Sequence, residues 1–439
     1  MMGVLPMEHA GAAFIESEAQ DLAYQNSNIF RKNTTLSEQE WKAIHDYYVS
    51  NAPEQLPSSV MPDLDKNLSQ FKSIFPDYYL SPPSTTMARF TSNGILIGDA
   101  HSQQIFHFNT DLNMTRRASV GEGVVWFNQI PEGKILTCMG QFSPTDRPLG
   151  SVVFFPESGG PPLTLLDSLR RPVHTEVADL DGDGRFDLVT CEFGKWTGSL
   201  SWWKNNGKGQ FEQRVLRNMP GAIRSQIADL NGDGLPDVIA LFGQGDEGIF
   251  IFYNQGNGNF QHECVLRFPP SYGSSFFALT DYNSDGQLDI LYTSGDNADY
   301  PPVVKPYHGI RIFQNNGNNR FSEVLFLPLP GAYGAALADF DLDGDLDIAA
   351  ISFFPDFQKM PAAGFVYFEN LGNGSMKAST FTSVEKGRWL VMDTGDLNSD
   401  GYPDIVLGSL AFEVVPEGGQ VGKWVKDGIP FVVLMNRGK

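Results

Sequence analysis

The stretch Asp179-Leu-Asp-Gly-Asp-Gly-Arg-Phe-Asp187 decides how this chain is read. Carboxylates stand at its positions 1, 3, 5 and 9 (Asp179, Asp181, Asp183, Asp187), and glycine stands at position 6. Short oxygen-bearing side chains at alternate positions, with a glycine where the backbone turns sharply, suit a hard cation. Ca²⁺ takes about six to eight oxygens at roughly 2.3–2.6 Å, and a compact acidic loop can wrap it. The pattern recurs as Asp229, Asn231, Asp233, Asp237, then as Asp281, Asn283, Asp285, Asp289. Asp339, Asp341, Asp343, Asp347 and Asp396, Asn398, Asp400, Asp404 complete the set. A single acidic loop reads equally well as a solvated turn. Five with one ligand pattern do not, because crowded carboxylates repel one another and a divalent cation relieves that repulsion. These twenty residues are the expected ligands of about five Ca²⁺ ions.

The loop is not an EF-hand, which needs a bidentate Glu at position 12 and a helix on each side. Position 12 is Thr190, Ala240, Tyr292, Ala350 or Leu407. The flanks, such as Phe276-Phe-Ala-Leu before and Asp289-Ile-Leu-Tyr after, are short, apolar and without helical spacing, so they read as strands.

The 439 residues are 41% hydrophobic and 12% aromatic with 45 Gly and 28 Pro, enough for a large core with many turns. Net charge is -21, and the five loops hold 17 carboxylates, four each in the first and fourth and three in each of the others. The acidity therefore belongs to the loops, and no basic face exists to meet the phosphates of a nucleic acid. Cys138, Cys191 and Cys264 are an odd set without a Cys-x-x-Cys pair, which argues against a disulfide framework or a zinc site. No run is long and apolar enough for a membrane helix. Met1-Met-Gly-Val-Leu-Pro6 lacks the basic-then-apolar pattern of a signal peptide.

Residues 1–67 differ from the rest. Ser37-Glu-Gln-Glu40 is a capping box, and Trp41, Ile44 and Tyr48 follow at helical spacing, so a helix is expected at about 38–50. A weaker helix is expected within 8–25, and 51–57 reads as a linker. Both helices are too short to bury much alone, so they are expected to pack on the larger domain or to be the remainder of something longer. From about residue 85 the pattern is all strands. Two units without acidic loops precede five with them, and the loops start 50, 52, 58 and 57 residues apart. A period near fifty with about four strands is the mark of a propeller blade. The expected fold is all-β: a seven-bladed β-propeller over 68–439 with a short α-helical N-terminal segment. The last unit supplies only three strands before Lys439, so a closing strand is expected from 68–75.

Each acidic unit has a second landmark, an aromatic strand running into an Asn-x-Gly turn: Trp202-Trp-Lys-Asn-Asn-Gly207, Phe252-Tyr-Asn-Gln-Gly256, Phe313-Gln-Asn-Asn-Gly317 and Phe368-Glu-Asn-Leu-Gly372. These runs join two strands, whereas a phosphate-cradling loop opens a helix. Their Asn and Gly are read as hairpin residues that supply positive φ.

Loops and turns together resemble FG-GAP/VCBS repeats, the calcium-bearing blades also seen in the integrin α-subunit head, strongly over 173–439 and weakly over 85–172. The resemblance implies calcium, an extracytoplasmic setting (periplasmic, cell-surface or secreted) and a binding, adhesion or scaffold role toward a protein or glycan. The stretch Leu36-Ser-Glu-Gln-Glu-Trp41 with Asp46-Tyr-Tyr-Val-Ser-Asn-Ala-Pro-Glu54 is also similar to the segment joining a c-type haem domain to a VCBS propeller, although no Cys-x-x-Cys-His is present. That implies a chain shortened at its N-terminus.

Two functions compete. The first is a monomeric, non-enzymatic binding, adhesion or scaffold module. Loops 193–197, 294–308 and 353–363 carry Trp196, Tyr300, Tyr307, Phe354 and Phe357, suited to stacking on sugars or to a protein contact, or else to covering the ends of neighbouring blades. The second is a polysaccharide lyase or hydrolase, for which His174, His308, Lys305 and Arg311 are the available groups. No G-x-S-x-G or H-E-x-x-H motif favours the enzyme.

Overall fold

Strands flank every one of the five acidic loops. A computed structural model describes residues 36–52, 54, 61–298, 303–372, 374–411 and 420–438. The helix expected within 8–25 and the loop residue Tyr300 lie outside the described residues. Among the described residues, 28 strands form seven four-stranded antiparallel sheets, a seven-bladed β-propeller.

The first strand of each blade is innermost. These are β2 (Thr85–Thr91), β6 (Val124–Ile130), β10 (Pro172–Ala178), β14 (Ala222–Ala228), β18 (Ser274–Thr280), β22 (Ala332–Ala338) and β26 (Trp389–Gly395). Each packs against the next, and β26 packs against β2, which closes the ring. All seven carry an irregularity just after their first residue, a bulge that adds local twist where the blades crowd together.

Second strands are the most buried. β11 (Asp187–Glu192), β15 (Asp237–Phe242), β19 (Asp289–Ser294), β23 (Asp347–Ser352) and β27 (Asp404–Ser409) are buried at every residue. Sheet neighbours lie on both edges and adjoining blades on both faces, so these strands read as continuous apolar runs. Fourth strands face solvent: β13 (Phe211–Arg217) buries none of its residues fully. The core sits between blades: Trp202, Leu200, Phe242, Phe250 and Phe252 form one cluster shared by the third and fourth.

Blades 1 and 2 replace the nine-residue loop with two-residue turns. Ser92-Asn93 joins β2 to β3 (Gly94–Asp99), and Pro131-Glu132 joins β6 to β7 (Gly133–Cys138). Gly94 has φ +143°, and a Cβ there would lie 1.9 Å from the Phe108 carbonyl oxygen, so only glycine fits.

Blade 7 draws strands from both ends of the chain. β26, β27 and β28 (Phe431–Asn436) come from the C-terminal part, and β1 (Phe71–Ile74) pairs with β28 from Phe71↔Asn436 to Ile74↔Val433. Phe71 is buried edge-on against Phe340 and Tyr367, with centroids 5.9 and 5.5 Å away. Before β1 the chain runs beside β25 (Met376–Ser379) of blade 6. Asp65 donates its N–H to Ala378 O at 3.0 Å and accepts the Thr380 N–H at 2.7 Å. Met61, Leu64 and Leu68 pack into the core there, so this segment covers a sheet edge.

The N-terminal helix, α1 (Glu38–Asn51), has its capping box: the Glu40 N–H donates to Ser37 Oγ at 3.2 Å, and the Ser37 N–H donates to the Glu40 carboxylate at 2.8 Å. The expected packing on the propeller is absent among the described residues. α1 buries none of its residues, and Tyr47, Tyr48 and Val49 are exposed. Among the described residues it stands on its cap and its own hydrogen bonds. A second helix, α2 (Gln420–Asp427), seats Trp424 beside the 3-10 turn Val384–Lys386, with the indole N–H donating to Glu385 O at 3.0 Å.

Candidate metal centres

Each acidic loop joins the first strand of a blade to the second, from β10–β11 in blade 3 to β26–β27 in blade 7. The position-1 carboxylate is clamped by the loop's own backbone. Asp179 accepts N–H bonds from Gly182 at 2.8 Å and Gly184 at 2.7 Å, and the position-6 glycine repeats the second bond to Asp229, Asp281, Asp339 and Asp396. That glycine has φ between +81° and +98° in all five copies, the left-handed region that excludes most side chains. Where position 3 is Asn, its amide donates to the position-5 carboxylate, as Asn231 does to Asp233 at 2.9 Å, Asn283 to Asp285 at 2.8 Å and Asn398 to Asp400 at 2.8 Å.

Position 9 does structural work that the spacing alone does not reveal. Asp187, Asp237, Asp289, Asp347 and Asp404 are buried. One oxygen of each accepts the position-2 N–H, from Leu180, Leu230, Tyr282, Phe340 and Leu397 at 2.9–3.3 Å. The other accepts the N–H of the Asn that ends the third strand, Asn205, Asn254, Asn315, Asn370 and Asn436, at 2.7–2.8 Å. Those Asn side chains accept the N–H of the glycine two residues on and donate to the carbonyl at position 8. The reading of the turn Asn and Gly as positive-φ residues holds for the glycines and for Asn257, Asn318 and Asn319, at +55°, +54° and +55°, but not for these strand-ending Asn. Positive φ falls on the following residues, such as Gly207 at +79°, Lys208 at +55° and Gly209 at +73°. The Asn locks turn and acidic loop into one unit. Asn254 and Asn436 also donate to Leu180 O and Phe340 O of the preceding blade, at 2.8 and 2.7 Å.

Burial raises the carboxyls of Asp187, Asp237 and Asp347, and lifts Asp404 to about 6, against the hydrogen bonds that favour the charged form. At two places among the described residues three carboxylates converge with ligand atoms within 4.8 Å of one another: Asp179, Asp181 and Asp187, and Asp339, Asp341 and Asp343. The donor set is all hard oxygen, as Ca²⁺ requires. Asp181 Oδ1 is buried and takes no hydrogen bond, so a cation fits where no proton donor reaches. The remaining ligand positions lie in loops of the same build without such convergence.

The surroundings of the two clusters differ. Lys204 Nζ contacts the Asp181 carboxylate and lies 3.9 Å from Asp183, and Arg185 pairs with Asp183. Burial works to raise the Asp181 carboxyl, but the Lys204 bond and charge outweigh it and hold it below the usual range. In blade 6 the residue before the strand-ending Asn is Glu369, and the residue after the position-6 glycine is Asp345. None of these four was singled out from sequence. The available signal was the register of the third strand relative to its Asn.

Residues 179–240, 229–292 and 302–350 each match the FG-GAP-like repeat family. The chain is an FG-GAP repeat protein. In outline it is similar to the N-terminal domain of Nup159, with a TM-score of 0.46 and 9% identity over 87% of this chain and 99% of that one. It is likewise similar to a chain of the S. cerevisiae complex of Dbp5 bound to Nup159, Gle1, IP6 and ADP, with a TM-score of 0.48, 9% identity and the same coverage.

In this FG-GAP repeat protein the loop aromatics are half-buried. Tyr307 stacks on Tyr272 with centroids 5.0 Å apart, Phe354 lies against Phe353 at 5.0 Å, and Phe357 lies 6.0 Å from Trp424. Of the polar candidates, Arg311 and His308 gather in blade 5: Arg311 donates to Tyr307 O and Ser294 Oγ, both at 3.0 Å, and His308 donates its N–H to Lys305 O at 3.2 Å. His174 sits apart on β10 of blade 3.

Proposed function

We propose that this FG-GAP propeller is a calcium-stabilised, non-enzymatic binding or scaffold module that works outside the cytoplasm and presents its loops to a protein or glycan. FG-GAP repeats on a propeller fit a binding or scaffold module. The observation that carries the finer reading is the five-fold unit of acidic loop, buried position-9 Asp and Asn-x-Gly turn, which occupies one end of the ring. The twenty loop residues would hold Ca²⁺ there, which supplies charge neutralisation and no chemistry. The opposite end carries the connections between second and third strands and is left for a partner. Those connections brace one another: Asp146 of blade 2 accepts the N–H groups of Lys195, Trp196 and Thr197 of blade 3 at 2.9–3.0 Å. A braced loop surface loses little entropy on binding. No helix of the described residues is long and apolar enough to cross a membrane.

The test is incubation of the calcium-loaded protein with immobilised acidic and neutral polysaccharides and with cell-surface protein extracts. The expected result is saturable retention without new unsaturated or reducing sugar ends. Appearance of such ends in proportion to protein would replace the binding reading with the lyase or hydrolase one.

A further inference from the structure

The innermost strands set the chemistry of the propeller axis. Six side chains from five blades converge there: Arg89 on β2, Trp126 on β6, His174 and Glu176 on β10, Arg224 on β14 and Asp393 on β26. Trp126 is the hub. The Arg89 guanidinium lies 4.2 Å from its ring centroid, that of Arg224 lies 4.7 Å away, and the His174 ring 4.0 Å away. Blades 2 and 4 are not neighbours in the ring, so Arg224 meets Trp126 at the axis. The side chains of Arg89, Glu176 and Asp393 keep 25%, 22% and 20% exposure, which on innermost strands is exposure to the axial channel.

One charge pair there is settled. Arg89 donates to Asp393 at 3.1 Å, and Asp393 also accepts the Phe90 N–H at 2.9 Å. The rest is not. Arg224 Nε, Trp126 Nε1 and His174 Nε2 are buried without a hydrogen-bond partner. His174 Nδ1 accepts the Ser225 N–H at 3.4 Å, so the ring proton belongs on Nε2, which lies 3.5 Å from Glu176 without a formed hydrogen bond. Three buried donors are gathered on and around the Trp126 ring, and buried donors in folded proteins find acceptors.

We propose that the axial channel, at the level of Trp126 and Arg224, binds a small carboxylate that accepts hydrogen bonds from Arg224, Trp126 and His174. The shape of the site selects this class of anion. The Arg224 guanidinium is flanked by Trp126 at 4.7 Å and by Phe276 of the next blade at 4.6 Å, so its edge is what a ligand can reach. A planar carboxylate matches that edge with two parallel hydrogen bonds and slides between the same rings. A tetrahedral phosphate sets further oxygens against the rings and a second charge against Glu176 and Asp393. Arg89 is paired with Asp393, and burial lifts the Glu176 carboxyl to about 7, so below that pH one monoanion offsets Arg224.

The experiment is a titration of the full, calcium-loaded chain with sodium acetate against sodium chloride at matched ionic strength, followed by tryptophan fluorescence and melting midpoint. A saturable, single-site response to acetate is expected, with inorganic phosphate at least tenfold weaker. Arg224→Gln and Arg224→Lys should each weaken acetate at least tenfold, the second retaining the charge without the fork, and Trp126→Phe should weaken it about threefold. Lack of a saturable response in the parent protein overturns the proposal, as does acetate affinity unchanged in a folded Arg224→Lys protein or phosphate binding tighter than acetate. Calcium is saturating throughout, so failure here leaves the reading of the metal loops intact.

Discussion

The loops of blades 3 and 6 share all four aspartates and the same backbone clamp, yet sit in opposite electrostatic surroundings. Lys204 and Arg185 lean on the blade 3 carboxylates, while Glu369 and Asp345 occupy the matching places in blade 6. Counted with these neighbours, the blade 3 site carries a formal charge of -2 and the blade 6 site -6, or -5 with Lys377 at 3.6 Å from Glu369. Two like charges 4 Å apart cost about 4 kcal/mol at an effective dielectric of 20, so the difference is large on the scale of one site. The motif sets the geometry of a site, and the residues around it set how much it needs a metal. Blade 3 carries cationic neighbours of its own, whereas the matching places in blade 6 are acidic. Position 3 alone, which ranks these two loops together, does not separate them.

The largest test of this contrast is removal of calcium. Saturating Ca²⁺ should add about 2–4 kcal/mol per occupied site by mass action, read as a shift in denaturation midpoint between millimolar calcium and chelator. Asp339→Ala should erase far more of that shift than Asp179→Ala. Equal losses would break the comparison, and no shift in the parent would remove the metal reading altogether.

A second experiment separates frame from site. Asp347→Ala strips acceptors from the Phe340 and Asn370 N–H groups and from the Tyr367 hydroxyl, and Asp187→Ala from the Leu180 and Asn205 N–H groups. Each should cost about 3 kcal/mol in chelator as well as in calcium, because buried donors are orphaned either way. A loss seen only in calcium would make position 9 a ligand and nothing more.

The pH profile refines the same distinction. Asp404 has its folded pKa lifted to about 6 by burial, above the ordinary value, so folding favours its protonated form. In chelator this contribution is fully present below about pH 4 and is lost as pH rises through 6, a fall of about 3 kcal/mol. Calcium should flatten that fall, since the cation stabilises the carboxylate. A profile unchanged by calcium would place the ion away from position 9.

The smallest effect belongs to Lys204. Lys204→Met should lower stability only slightly in chelator, as expected of an ion pair at the protein surface, and should tighten calcium at blade 3 several-fold in calorimetric titration. Calcium affinity unaltered in that variant would show that Lys204 moves aside without cost.

Much of the fold was legible because its requirements are local. Gly184 needs a left-handed backbone, and the apolar run from Asp187 to Glu192 needs a sheet with both faces covered. The helix at Glu38–Asn51 was readable from Ser37 and Glu40, whose bonds span three residues. Its lack of a packed face was not, because burial depends on what lies opposite. The bracing role of each strand-ending Asn was not legible for a related reason: its backbone partner is an aspartate 17 to 32 residues back.

By itself the sequence determined the strand period, the number of acidic loops and the identity of their oxygens, all properties of short stretches with fixed backbone demands. Only the tertiary structure decided which charges face those oxygens. It also decided that Phe71 lies opposite Asn436 and that Arg89, Trp126, His174, Arg224 and Asp393 meet on one axis. Those encounters follow from ring closure, in which each blade's position is set by its two neighbours and so by the whole chain at once.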